Sequence, residues 1–403
     1  MGLNGATSGE RIHIGFFGAC NAGKSSLVNA VVGQDLAVVS EVAGTTTDPV
    51  RKAMELAPLG PVLVIDTPGM DDEGELGALR VRKARRVLDS TDAAVLVADS
   101  VKGLSDADRT LIGLFEERGV PYAVVMGKCD LVGEQEPKTS LEANANPPHG
   151  RLFASALTGT GVHELKELIG TIAAGAKEPR RVVGDLLEPC DDVVLVVPID
   201  AAAPKGRLIL PQQMTIRDVL DAGAHAHVTR ETELAAMMDA LAHPPRLVIT
   251  DSQAFRPVSR IVPEDIPLTS FSILMARYKG DLDAQVAGAR ELDRLENGDA
   301  VLISEGCTHH RQCEDIGTVK LPRWIRDHTG RDIDFSFTSG TEFPDDLSGF
   351  RLVVHCGGCM LNEREMRWRL RHAAAQGIPC TNYGMAIAKM NGILDRALRP
   401  FGA

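Results

Sequence analysis

Gly18, Gly23, Lys24 and Ser25 stand at the spacing G-x-x-x-x-G-K-[ST], between an apolar run at 12–17 and a stretch of helical periodicity. In that context the glycines let backbone N–H groups of the loop, those of Ala22 and Ser26 included, wrap a polyphosphate. Lys24 offers a point charge to the β- and γ-phosphates, and Ser25 a hydroxyl to Mg2+. Asp66-Thr67-Pro68-Gly69 ends a second apolar run, which sets Asp66 at the magnesium shell and the Gly69 N–H at the γ-phosphate. The switch-like Gly44-Thr45-Thr46-Thr47-Asp48 lies between them and puts a Thr46 oxygen within the reach of Mg2+. Lys24, Asp66, Gly69 and Thr46 are therefore the candidate catalytic set. Further on come Gly127-Lys128-Cys129-Asp130 and Ser155-Ala156. The Asp130 carboxylate accepts from guanine N1 and N2, donors that adenine does not present. Lys128, Asp130, Ser155 and Ala156 form the expected base site.

A second chemistry is written near the other end. His355-Cys356-Gly357-Gly358-Cys359 pairs a C-x-x-C with a histidine, and Cys307-Thr308-His309 precedes it by about fifty residues. Three thiolates plus a histidine close a tetrahedral zinc site. Three thiolates with a replaceable fourth ligand hold a 4Fe–4S cluster. Buried, inert thiols are the third reading. Spacing leaves all three open, and the two glycines tilt slightly toward a cluster because bare N–H groups can approach its sulfurs. His310 and Cys313 read as supporting residues. Cys20 and Cys129 read as packing, with Cys20 an oxidation-sensitive spot, and Cys190 and Cys380 have no evident partner. Lys320, Arg323 and Arg326 face either an anionic group or solvent.

These residues need elements to place them. Apolar runs alternate with amphipathic stretches, the pattern of βα units around mostly parallel sheets. Strands are expected at 12–17, 62–65, 93–98, 122–126 and 152–154, then at 193–199. Further strands are expected at 271–275, 300–304, 333–337 and 352–355. Cys307 follows one of these and Cys356 another, so parallel neighbours would bring both to the C-terminal edge where α/β folds build sites. Boundaries are expected in Ala173–Gly184 and in the Pro-punctuated Arg260–Ser270. The resulting α/β blocks are 1–175, a P-loop domain; 183–262, structural or oligomeric; and 263–403, which carries the cysteines.

With 403 residues the chain exceeds one core. Its 44% hydrophobic and 24% charged content is ordinary globular material. The net charge of −12 speaks against broad nucleic-acid binding. No apolar run reaches the roughly 18 residues of a membrane span, and the N-terminus has no signal-like core. A cytoplasmic location is expected, where eight cysteines read as thiols or metal ligands rather than disulfides.

The first block resembles GTPases of the Era/TrmE type, whose pattern is GxxNxGKS, GTT, DxPG, NKxD and SA. The resemblance implies GTP and Mg2+, and makes Asn21 a residue that holds K+ beside the phosphates. Met70 stands where Ras-like enzymes carry a water-orienting glutamine, so intrinsic hydrolysis is expected to be slow and K+-stimulated. Gly127 departs from the family's Asn, which removes a base contact and a brace for the loop. The whole chain resembles the HydF family of FeFe-hydrogenase maturation GTPases, through DTPGMDDEGELGALR, TSFSILMARYKGD, CTHHRQCEDIGTVKLPRW and VVHCGGC. That resemblance implies GTP-binding, dimerisation and cluster-binding domains. It also implies a 4Fe–4S cluster on Cys307, Cys356 and Cys359, with His309 or His355 at an exchangeable fourth position. The implied role is a homodimeric scaffold that receives a di-iron precursor made with radical-SAM maturases and delivers it to apo FeFe-hydrogenase. No nucleic-acid or membrane partner is expected. The rival is an RNA- or ribosome-associated Era/TrmE-type GTPase with a zinc-stabilised C-terminal domain. A redox-sensing switch is a further alternative.

Overall fold

A computed structural model describes residues 8–33, 49–57, 59–69, 84–132, 151–175, 180–199, 208–306 and 315–402. Thr46 and the rest of the switch-like segment, Met70, and Cys307, His309, His310 and Cys313 lie outside the described residues. The chain divides into two compact units, Met1–Pro179 and Arg180–Ala403. The division falls within the segment whose small, charged and Pro residues mark it as a linker.

The first unit holds β1 (Ile12–Phe17), α1 (Lys24–Val32), β2 (Val50–Leu56), β3 (Gly60–Asp66), the helical residues 84–89 (α2) and β4 (Ala93–Asp99). These are followed by α3 (Asp106–Glu117), β5 (Tyr122–Gly127), β6 (Arg151–Phe153) and α4 (Val162–Ala174). The sheet order is β2-β3-β1-β4-β5-β6, with β2 antiparallel to β3 and the other pairs parallel. β1, β3 and β4 are buried almost end to end, as strands covered on both faces must be. β2 lies at the edge, and its charged Arg51 and Glu55 are exposed. Helices cover both faces: Leu27, Val28 and Leu165 pack with Ile14 and Val95 on one, and Leu88, Leu111 and Phe115 with Phe17 and Leu96 on the other.

The second unit contains two parallel sheets. The first, ordered β10-β9-β7-β8, is built from β7 (Asp192–Val196), β8 (His225–Thr229), β9 (Leu247–Thr250) and β10 (Leu268–Ser270). Between and after them come α5 (Leu210–Asp221), α6 (Leu234–Ala240), α7 (Phe255–Ile261) and α8 (Phe271–Lys279). The second, ordered β12-β11-β13-β14, is built from β11 (Ala300–Ser304), β12 (Asp334–Thr338), β13 (Leu352–His355) and β14 (Cys380–Asn382). Its helices are α9 (Leu282–Arg290), α10 (Leu321–Thr329), α11 (Glu363–Ala375), α12 (Tyr383–Met390) and α13 (Leu394–Leu398). The two sheets share a core: Val194 and Val248 of the first sit in one cluster with Ala289, Met385 and Leu398 of the last helices.

Two expectations change. Residues 271–275, read as a strand, are the start of α8. Phe271, Ile273, Leu274, Met275 and Ala276 are all buried, so the run shows no amphipathic period. The Ser270 hydroxyl accepts from the Ile273 N–H at 3.3 Å and starts the helix. The stretch Arg260–Ser270 contains β10, which pairs with β9, so the middle sheet continues past residue 262.

Candidate functional site

In the first unit, the loop between β1 and α1 bends through positive φ at Gly18 (146°), Asn21 (60°) and Gly23 (90°). Gly18 has no substitute here, because a Cβ would lie 2.2 Å from the Val97 carbonyl oxygen. α1 starts at Lys24, whose side chain is buried, and its free N-terminal N–H groups and dipole favour an anion. Ser25 Oγ donates to Asp66 Oδ2 at 2.6 Å, joining the two elements that sequence spacing assigned to Mg2+. Burial pushes the Asp66 carboxyl up, against the opposing pull of the Lys24 charge and the Ser25 bond. Asp66 Oδ1 is buried and makes no hydrogen bond among the described residues. The carboxylate therefore keeps an acceptor for Mg2+ or its water shell, and the donor set fits that ion. Thr67 anchors the following turn, its hydroxyl donating to the Phe16 carbonyl at 2.7 Å. Gly69 lies against Cys20: a Cβ there would stand 2.7 Å from the Cys20 backbone.

The expected base site gathers at the ends of β5 and β6. The Cys129 N–H donates to the Ala154 carbonyl at 3.3 Å, and buried Ser155 Oγ accepts from the N–H groups of Leu157 and Thr158. Asp130 is exposed on the turn after Lys128. Lys128, at φ 58°, runs its stem past Gly23 and donates to Asp99 at 2.9 Å. Burial acts to raise the Asp99 carboxyl, yet the Lys128 bond and the Val101 N–H hold it below its ordinary value. Asp99 is a partner that spacing did not single out. At Gly127 a Cβ would sit 2.9 Å from the Ala22 carbonyl oxygen. The phosphate loop thus packs directly on the backbone where the related GTPases carry an Asn side chain.

In the second unit, β11 and β13 are parallel neighbours in register, Ser304 beside His355. The Cys356 N–H extends the ladder to the Ser304 carbonyl at 2.9 Å. The thiol pair therefore begins at a C-terminal strand end, as the coarse strand pattern implied. Cys356 Sγ accepts from the Gly306 N–H at 3.0 Å and the Gly358 N–H at 3.4 Å. Gly358 turns at φ 61°, and a Cβ there would meet the Met366 sulfur at 2.6 Å. Burial pushes the Cys356 thiol up to about 11 and outweighs the two N–H bonds that favour its thiolate. Two backbone N–H donors to one sulfur suit a thiolate ligand, although among the described residues no group of three or more His, Cys, Asp or Glu side chains is gathered to hold a metal.

His355 is buried with both ring nitrogens engaged. Arg369 Nη1 lies 2.9 Å from its Nε2, and its Nδ1 is 2.8 Å from the Cys356 carbonyl oxygen. A guanidinium only donates, so Nε2 accepts and Nδ1 carries the proton. Burial, then the Arg369 charge, pulls the imidazole down to about 3. Arg369 is itself 1% exposed; it also donates to Ser304 Oγ, the Gly340 carbonyl and Glu365, the last at 2.6 Å. Lys279 is 3% exposed and donates to the carbonyls of Gly358, Cys359 and Leu361 at 3.1, 3.3 and 2.7 Å. Tyr383 donates to Glu305 at 3.3 Å, and burial, with the charges of Cys356 and Glu305, raises its phenol well above the ordinary value. Sequence reading missed Arg369, Glu365, Lys279, Glu305 and Tyr383. One signal was available: Glu365 and Arg369 are four apart on the buried stripe of α11, with Met366, Leu370 and Ala373. Among the three basic residues of α10 and its approach, Arg326 is held structurally, bonded to the Ile333 carbonyl and lying 4.9 Å over the Phe335 ring.

Residues 182–280 match the hydrogen maturase F dimerization domain, and residues 283–400 the hydrogen maturase F tetramerization domain. The chain belongs to the HydF family. Residues 13–128 match a family described as 50S ribosome-binding GTPase, in keeping with the P-loop fold of the first unit. GTPase Der from Kosmotoga olearia is 32% identical over 174 residues, covering 41% of this chain and 39% of that protein. The tRNA modification GTPase MnmE from Paraburkholderia xenovorans is 34% identical over 177 residues, covering 43% of this chain and 37% of that protein. The chain thus spans about two fifths of the length of these curated relatives. Among solved structures, a variant of Aquifex aeolicus Era bound to GDP and AlF4− is similar at 19% identity and a TM-score of 0.36, covering 54% of this chain and 91% of that one. No helix among the described residues is long and apolar enough to cross a membrane.

Proposed function

We propose that this HydF-family chain is a hydrogenase-maturation GTPase that carries a 4Fe–4S cluster and delivers a di-iron precursor to apo FeFe-hydrogenase. The observation that carries the reading is Cys356: a half-buried thiol just past the C-terminal end of β13, with two backbone N–H donors and a second cysteine three residues on, in a chain that also has a P-loop. In the first unit, Lys24 and the N–H groups at the start of α1 bind the phosphates. Ser25 and Asp66, already bonded to each other, hold Mg2+, with Thr46 as a further ligand. Bound between them, Mg2+ would offset negative charge on the phosphates. The Gly69 N–H senses the γ-phosphate, and Asp130 selects guanine. Met70 provides no water-orienting group, so hydrolysis is slow, with Asn21 holding a stimulatory K+.

In the second unit Cys307, Cys356 and Cys359 supply the thiolates. The cluster supplies iron with an exchangeable ligand position, which suits a carrier whose cargo must leave as well as bind. In the described arrangement His355 braces Cys356, and its ligation would require release of Arg369. The fourth position is taken by His309, by His355 after such a release, or by an exogenous ligand. Radical-SAM maturases supply the precursor, and the dimerization and tetramerization domains assemble copies of the chain. GTP hydrolysis gates partner exchange rather than the iron chemistry. Lys24→Ala and Asp66→Asn are expected to lower hydrolysis by at least about a hundredfold and to slow maturation of apo-hydrogenase in parallel. Wild-type maturation rates with either variant would exclude gating.

A further inference from the structure

Lys279 is the last residue of α8, in the stretch that matches the dimerization domain, whereas the cysteine loop belongs to the stretch that matches the tetramerization domain. Helix α8 stops there because Gly280 follows. A Cβ at Gly280 would lie 2.5 Å from the Gln285 amide nitrogen and 3.0 Å from a Leu370 methyl, so this helix end is seated tightly against α9 and α11. The seating aims the Lys279 stem into the protein, where its ammonium reaches three carbonyls of the loop, those of Gly358, Cys359 and Leu361. An ammonium only donates, and these three carbonyls are all acceptors. Buried charges are costly and persist where such bonds hold them. The same loop presents the Gly358 N–H to Cys356 Sγ and ends at Asn362, which caps α11 by accepting from the Glu365 N–H at 3.1 Å. The turn that carries both thiols is thus fixed at its carbonyls by a side chain from another block. A positive charge is held there at low dielectric, where its effect on neighbouring thiolates is largest.

We infer that Lys279 is a positioning residue for the metal loop: it holds the Cys356–Cys359 turn in its ligating shape and sets the charge that a bound cluster meets. The inference rests on the carrier reading above. The test uses the full-length chain, wild type and with Lys279→Met, Lys279→Gln or Lys279→Arg, purified without oxygen. Iron and sulfide are measured, then iron release to bathophenanthroline and the midpoint potential by an EPR-monitored titration. Loss of three bonds to a charged donor makes Lys279→Met release iron at least about tenfold faster. Lys279→Gln, which keeps donors without the charge, shifts the midpoint to more negative values. Lys279→Arg restores both quantities toward wild type. A purely structural lysine would alter melting in all three variants and leave the potential in place. If Lys279→Met does not fold, the contrast between Gln and Arg decides the matter. Wild-type release and potential in the variants that fold would overturn the inference alone. A wild-type chain that holds no iron would overturn the carrier reading and this inference with it.

Discussion

At the scale of single residues, Gly127 has the clearest consequence. The expected brace of the related GTPases is missing, and the Ala22 carbonyl takes up its room, 2.9 Å from where a Cβ would stand. Restoring the family residue should therefore harm this chain. Gly127→Asn forces the phosphate loop away from β5 at a cost of about 1–3 kcal/mol. It is expected to weaken the binding of a fluorescent GDP analogue about tenfold or more, read by equilibrium titration. Tighter binding would mean that the loop yields easily and that the missing Asn is a simple deficit. The residues of the phosphate loop and the HCGGC turn were legible because their chemistry depends on short spacings. Lys279, Arg369 and Asp99 were not, because each acts on a partner distant in sequence that only the folded sheets bring near.

At the scale of elements, alternation of apolar and amphipathic runs located most strands, and β11 and β13 fall on the expected residues. The register sets Ser304 beside His355, so the C-terminal ends of these two strands lie side by side. Reading failed where burial was total. FSILMARYK is covered on nearly every side and loses its helical period, so only the Ser270 cap marked it as a helix. Edge strands such as β8, with its half-exposed HAHVT, gave too little apolar signal to be found. The element most exposed to a test is α11, which delivers Arg369 under the cysteine loop. Arg369→Met leaves Glu365 buried without its cation and frees His355, Ser304 and the Gly340 carbonyl. A loss of about 3–5 kcal/mol of stability is expected, seen as a lowered urea midpoint. The double variant Arg369→Met/Glu365→Gln should recover part of it. An unchanged midpoint in Arg369→Met would show that the buried network is dispensable.

At the scale of the whole molecule, the chain divides into two compact units. The P-loop unit stands as one body of sheet and helices, while the middle and last blocks are joined through a common core of Val194, Val248, Met385 and Leu398. That joining lets a dimerization-domain lysine hold a loop of the next block. Composition foresaw several domains but not that two of them would pack as one, since core sharing is decided by which helix faces meet. The central claim is that the thiols serve an iron–sulfur carrier. It is tested most directly by metal analysis of the full chain purified anaerobically from iron-replete cells. About four iron and four sulfide per chain, without zinc, are expected from a single 4Fe–4S cluster. Stoichiometric zinc without iron would contradict it.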